Sequence, residues 1–350
     1  MSIIEKGDRE MRRLWETQQR RIEKGQQALK KGQQALRDRV SQEAQSVALE
    51  VMPEEVKVLY VKTLVAHSLV GGEADPKKVA DIYVFMSQID LQPDSRGQVR
   101  QALEAEEAGP SEVLGLARDT VIKSRSGRDE IAFSLVKDMV RVSRVGVRPS
   151  QPERESLAEV AIEFGYDAEE AILLAEKAIE NDEAFVRGEI DIGELEKRSK
   201  QLASRAASIG VPIAAVYISG SVVGLSAAGI TSGLAWLGFG GLLGLSSMLT
   251  GIGIVVLIGA GTYAVVRRAT GGRERELKKQ REHMIQEVIR RHQQAIADLA
   301  DDINTIAAKL EEYTSQSDRN EARLVQLEGE LRTFRSALSS LKDREQQYAS

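Results

Sequence analysis

From Ala206 to Val266 the chain passes without one charged residue, between Arg205 and the pair Arg267–Arg268. An α-helix crosses a bilayer core of about 30 Å with about 20 apolar residues, at a rise of about 1.5 Å each. The stretch is long enough for two such spans, whereas the rest of the chain is charged and helix-prone. Any fold must either give this block to lipid or cover it on all sides with protein, and a charged remainder offers little surface for the second.

Both flanks are basic: Lys197, Arg198, Lys200 and Arg205 before the block, and Arg267, Arg268, Arg273, Arg275, Lys278, Lys279 and Arg281 after it. Cytoplasmic flanks of membrane spans carry excess Lys and Arg. Two basic flanks predict an even number of crossings, hence a hairpin with both soluble ends in the cytoplasm. The first span is placed at Val211 to Gly233 and the second at Leu243 to Val265, with a turn around Trp236 to Gly241. The membrane-inserting positions are then Val211, Ile213, Val222, Leu234, Trp236, Phe239, Leu243, Ile254 and Leu257. Trp236 and Phe239, at the tip, suit the headgroup level.

Glycines recur four apart, as Gly220 with Gly224, Gly229 with Gly233 and Gly240 with Gly244. In lipid, where packing drives helix association, small residues at this spacing let backbones approach. The spans are therefore expected to pack on each other or on a second copy. A glycine-rich apolar hairpin between charged helices also resembles, in architecture alone, the membrane-inserting tongue of α-helical pore-forming proteins. Three readings stand: a constitutive membrane hairpin, a protein soluble before insertion that assembles into a lesion, and apolar helices buried in a cytosolic adaptor.

The remainder divides by composition. Residues 1–50 form an amphipathic helical arm in which Lys24-Gly25-Gln26-Gln27-Ala28-Leu29-Lys30 is followed at once by Lys31-Gly32-Gln33-Gln34-Ala35-Leu36-Arg37. A strict period of seven favours a seam against another helix. Gly25 and Gly32 each cost a helix about 1 kcal/mol against Ala. The arm either packs on its own protein or docks on a partner or membrane. Its start has no apolar core and no cleavage site of a secretory signal.

Residues 51–190 read as a helical bundle. Pro53-Glu54-Glu55 starts a helix whose apolar period runs through Val56, Leu59, Tyr60, Leu64, Val65 and Leu69. Gly71-Gly72 ends it, and Asp75-Pro76 opens a second with core positions Val79, Ile82, Tyr83 and Met86. The pattern returns about 75 residues later. Ile131, Leu135, Val136, Met139 and Val140 form one helix, Leu157, Val160, Ile162 and Phe164 the next, and Ala168 to Ile179 another. The turns at Asp90–Asp94 and Gly165–Glu169 occupy equivalent places.

The stretches Val61–Leu103 and Ile131–Ile179, with the acidic glycine turn Gly72-Glu73-Ala74-Asp75, resemble the TerB-like (tellurite-resistance) helical domain. The resemblance covers little more than a third of the chain. It implies an internally repeated bundle, a partner-binding or sensing role in membrane-linked stress or defence, and, in some members, metal at the acidic turns. The second copy has Gly146-Val147-Arg148-Pro149 and lacks the acids. Two carboxylates from one turn are too few for a hard cation. Asp and Glu before a helix also cap its free N–H groups, and capping is the expectation for Glu73 and Asp75.

Residues 191–209 read as a charged connector, 210–268 as the hairpin and 269–350 as a coiled coil. In the last, Ile285, Ile289, Ile296, Leu299, Ile303, Ile306, Leu310 and Tyr313 lead to Leu324, Leu327, Leu331, Phe334, Leu338, Leu341 and Tyr348 in steps of three and four. The unbroken phase favours one continuous rod; a loop at Thr314 to Asn320 makes it an antiparallel pair. The expected class is all-α: a repeated bundle, a two-helix transmembrane hairpin and a long coiled coil that sets a homo-oligomer.

The net charge of −5 and an aromatic content of 4% argue against a nucleic-acid partner. With no Cys, thiolate chemistry is excluded. Gly251-Ile252-Gly253 and Gly259-Ala260-Gly261 lack the strand–turn–helix setting of a dinucleotide loop. His67, His283 and His292 have no carboxylate cluster in sequence beside them. No catalytic residue, cofactor or resident metal is expected.

Overall fold

The computed structural model describes residues 52–72, 75–105, 107–124, 127–145, 149–190, 192–212, 215–216, 273–315 and 321–349. The N-terminal arm with its repeat, Glu73, and most of the apolar block lie outside them. All described residues belong to one unit, Ala44–Ser350. Their regular structure is entirely helical.

Ten helices are described: α1 (Glu54–Leu69), α2 (Pro76–Gln88), α3 (Pro93–Leu103), α4 (Pro110–Lys123), α5 (Arg128–Arg144), α6 (Gln151–Glu163), α7 (Ala168–Val186), α8 (Ile192–Ser208), α9 (Arg273–Ser315) and α10 (Glu321–Ala349). Their starts follow local chemistry. Asp75 accepts a hydrogen bond from the Lys77 N–H at 2.7 Å, and Pro76 occupies the first turn of α2. Asp75 is thus engaged in capping. Ser150 and Glu153 form a reciprocal capping box at α6. α4, between the two copies, was not expected from the sequence reading; Pro110 and Glu112 lie in its first turn, and its buried residues Val113, Ala117 and Thr120 are helically spaced.

The 75-residue repeat is visible in backbone detail. α1, α2 and α3 correspond in order to α5, α6 and α7. After α2, Leu91 N–H donates to the Met86 carbonyl at 3.1 Å; after α6, Tyr166 N–H donates to Ala161 at 3.0 Å. The left-handed residue each turn requires is Asp90 (φ 53°) in the first and Gly165 (φ 82°) in the second. Lys78 and Glu153, 75 positions apart and at the same place in α2 and α6, form a buried ion pair with each other.

Three helices make the core, and burial extends around most of their circumference, as expected for central helices. Buried residues number 12 of 16 in α1, 11 of 13 in α2 and 14 of 17 in α5. The apolar positions named for α1, α2, α5 and α6 are buried, except that Leu59 and Phe164 are half-buried and Ile162 is 63% exposed. Several polar groups inside are paired, which offsets the cost of burying them. Tyr60 OH donates to Asp138 Oδ2 at 2.7 Å, its ring stacks on Phe85 at 5.3 Å, and the Arg141 guanidinium lies 5.1 Å over that same Phe85 ring. His67 Nε2 and Ser143 Oγ share a 2.7 Å hydrogen bond. Burial, aided by the nearby Lys78 and opposed by Glu153, brings His67 down to about 4, so it stays neutral in this core.

The C-terminal region departs from the continuous rod. α9 and α10 pack side by side and antiparallel: Gln293 Nε2 donates to Glu345 Oε1 at 2.8 Å, while at the other end Lys309 and Arg323 both reach Glu104. The seam residues Leu299, Ile306, Leu327, Phe334 and Leu341 are buried within the chain. The pair lies on α2, so coil and bundle form one body.

Lys78→Met leaves the buried Glu153 carboxylate without its cation and should cost about 3 kcal/mol. The double variant with Glu153→Gln should cost clearly less than the sum of the two single changes. Urea unfolding of the three variants measures both.

Candidate functional site

The apolar block is the strongest functional signal in the sequence, and the structure describes how the chain leads into it and is anchored beyond it. α8 lies along α7, with Arg205 donating to Glu170 at 2.6 Å. α8 ends in a left-handed glycine, Gly210 (φ 74°), after which Val211 N–H donates to the Ala206 carbonyl at 2.9 Å. Val211, placed in the sequence reading at the start of the first span, is 2% exposed. Ala215 and Val216 are also buried. There α5 meets the segment. Lys137 Nζ donates to the Val216 carbonyl at 2.7 Å, and Ser134 Oγ reaches the Ala215 carbonyl at 3.5 Å.

Lys137 is wholly buried. Burial pushes its ammonium down to about 8, with Arg141 acting in the same direction and Asp138 and Asp182 opposing. Beyond Val216 the expected membrane positions Val222, Leu234, Trp236, Phe239, Leu243, Ile254 and Leu257, and the packing glycines Gly220, Gly224, Gly229, Gly233, Gly240 and Gly244, lie outside the described residues, as does Ile213 before it.

The second anchor is the α9–α10 pair on α2 and α3. Asp302 of α9, 4% exposed, accepts from Tyr83 OH at 2.6 Å and from Arg100 at 2.8 Å, with Arg96 Nε at 3.5 Å. Arg96 also donates to Asp298 at 2.6 Å. Burial and the Asp302 charge hold Tyr83 well above the usual phenol range. Ser87 Oγ donates to the Arg291 carbonyl at 3.0 Å, and the Arg291 side chain donates back to the Ser87 carbonyl. From α10, Arg344 pairs with the fully buried Asp81, and Phe334 meets the Tyr83 ring edge-on at 5.8 Å. His292, on the coil seam as expected, is buried, and its Nδ1 shares a 2.8 Å hydrogen bond with the Val288 carbonyl.

Lys137, Asp302, Arg96, Arg100, Arg344 and Asp81 were not singled out from sequence. A signal was present: Asp81 sits between Ala80 and Ile82, and Lys137–Asp138 between Val136 and Met139, which puts charge inside apolar helical runs. Among the described residues no helix is long and apolar enough to cross a membrane, and no three His, Asp or Glu residues are grouped to hold a metal. Comparison with protein-family models, curated proteins and solved structures finds no match.

One group in the second anchor is tuned for titration. Both carboxylate oxygens of Glu330 on α10 are buried without a partner. Burial first, and then the facing Glu104, push Glu330 up to about 7, against the lowering effect of Lys309, Arg100 and Arg323. A carboxyl raised in this way supports the fold while protonated. Its contribution is complete below the ordinary carboxyl range and is lost as pH rises through about 7. The wild-type melting temperature should therefore carry a fall between about pH 5 and about pH 8 that Glu330→Gln removes, as measured by circular dichroism melts of both proteins.

Proposed function

We propose that this protein is a membrane-associated, self-assembling helical scaffold or effector. Its apolar block sits in the bilayer as a hairpin, and its bundle binds or senses a partner on the side of the basic flanks. The single observation that carries the reading is the uncharged run from Ala206 to Val266, too long and too apolar to leave in water. The anchoring adds support for an even number of crossings. The segment leading in is held on α5, and the α9–α10 pair that follows is held on α2, an arrangement that fits a hairpin with both ends on one side.

The TerB-like reading of the bundle, and with it a place in stress or defence, is part of this proposal and rests on the sequence resemblance alone. It implies no reaction, and the protein is proposed to act without catalysis or cofactor. Because the coil seam is closed within the chain, self-association is assigned to the glycine-spaced block, with any contribution of the coil coming from its outer faces. The burial of Val211, Ala215 and Val216 against protein favours a second reading, in which the block is held by the soluble body and inserts on a trigger to permeabilise a membrane.

Membrane fractionation separates these readings. The scaffold should stay in the pellet through carbonate washing, and protease should leave a lipid-protected fragment spanning the block, with both chain ends cut from the same side. A stable soluble form that later releases dye from liposomes identifies the conditional inserter. A form that remains soluble and never binds lipid leaves the cytosolic adaptor and ends the membrane proposal. Within the membrane, Gly224→Leu or Gly229→Leu should reduce chemical crosslinking between copies by about tenfold, the scale of a 1.4 kcal/mol packing loss, with the melting of the bundle unchanged. Unaltered crosslinking removes the small-residue interface.

A further inference from the structure

The C-terminal pair of helices is held unevenly along its length. Along the second part of α10, Leu331, Phe334, Ala337 and Leu341 are buried, and Arg344 pairs with Asp81. Along its first turns, Glu321–Glu330, Leu327 alone is buried, and on the facing α9 no residue from Ala307 to Thr314 is buried. Bonds at this end converge on Glu104, just after α3. Arg323 donates to its carboxylate at 3.2 Å and Gln326 to its main-chain carbonyl at 3.0 Å, while Lys309 of α9 lies 3.8 Å from the same carboxylate. Glu330 stands at the boundary between the two parts, one turn before Phe334. Both of its carboxylate oxygens are buried and lack a hydrogen-bond partner. The charged groups that face it are Glu104 and Arg100 at the end of α3, Lys309 on α9 and Arg323 on its own helix. Arg100 is bonded to Asp302 at 2.8 Å, and Lys309 and Arg323 are engaged with Glu104. A neutral Glu330 leaves those pairs intact. An ionised one puts a second negative charge beside Glu104, away from water, and competes with it for the same two cations.

We propose that Glu330 is a pH-sensitive clasp, whose neutral carboxyl keeps the first turns of α10, Glu321–Glu330, closed on α3 and α9, and whose ionisation lets them open while α10 from Phe334 onward stays docked. The ionised carboxylate reaches water only when those turns lift, because the closed arrangement gives its oxygens no hydrogen bond. Opening ends at Phe334, whose ring is held edge-on against Tyr83 at 5.8 Å. The clasp involves α3, α9 and α10 alone and is independent of the lipid reading.

Hydrogen exchange on the full-length protein tests it. In the wild type, protection of the Val325–Glu330 amides, corrected for intrinsic rates, should fall at least about tenfold from about pH 5 to about pH 8. Across that range it should stay below the protection of Phe334–Arg344 and of α2, the mark of a local opening. Glu330→Gln should abolish the fall and keep the high protection of the acidic wild type. Protection that does not change with pH, an equal fall in Glu330→Gln, or protection at Val325–Glu330 no lower than in α2 overturns the clasp. So does failure of Glu330→Gln to fold, since the variant carries the shape of the neutral carboxyl. Carbon-13 NMR of the wild type decides independently. The Glu330 carboxyl should titrate near neutral pH, in step with the loss of protection; a midpoint in the ordinary carboxyl range overturns the proposal.

Discussion

Buried charge on α2 sets the arrangement of the other helices. On the side toward α6, Lys78 needs Glu153; on the side toward the C-terminal pair, Asp81 needs Arg344, and Tyr83 shares Asp302 with Arg96 and Arg100. Each of these groups is costly to bury alone, so α2 cannot be enclosed by any apolar surface of the right shape. It must be enclosed by these particular partners in this register. The α9–α10 pair is thereby fixed on the first half of the bundle, although the chain between the two halves of the molecule includes the whole apolar block.

The same constraint explains why the repeat is unequal. α6 occupies in the second copy the position of α2 in the first, yet the equivalents of Tyr83, Val84 and Ser87 are Ala158, Glu159 and Ile162. Glu159 is exposed, and Ile162 is 63% exposed. The ring that stacks on Phe334 and the hydroxyls that bond to α9 have no counterparts there, so only one copy can receive the C-terminal pair. The turn geometry, set by backbone alone, has remained alike in both copies, whereas the outward faces have followed what covers them.

Much of the bundle was legible in the sequence, because a 3.6-residue apolar period and a Pro or acidic start act locally. Val56, Tyr60 and Leu64, and the cap at Asp75, are of this kind. The antiparallel course of α9 and α10 was not legible. A seam of threes and fours reads the same whether the facing helix is its own continuation folded back or another chain, and contacts such as Gln293 with Glu345 carry no periodicity. The anchors were missed for a related reason. Asp81, Lys137 and Asp302 break the apolar pattern, and periodicity treats such breaks as noise, although a charge inside a core helix signals a partner brought from elsewhere in the chain. Of the candidate site itself, the length and flanks of the uncharged block were plain, while its docking on α5 depends on main-chain carbonyls, which any sequence supplies.

The two anchors differ in the kind of contact that holds them. The C-terminal pair is held by several ion pairs and an aromatic contact, spread over both of its helices, so that no single loss releases it. The described part of the approach from α8 is held by the burial of Val211, Ala215 and Val216 and by hydrogen bonds from Lys137 and Ser134 to main-chain carbonyls.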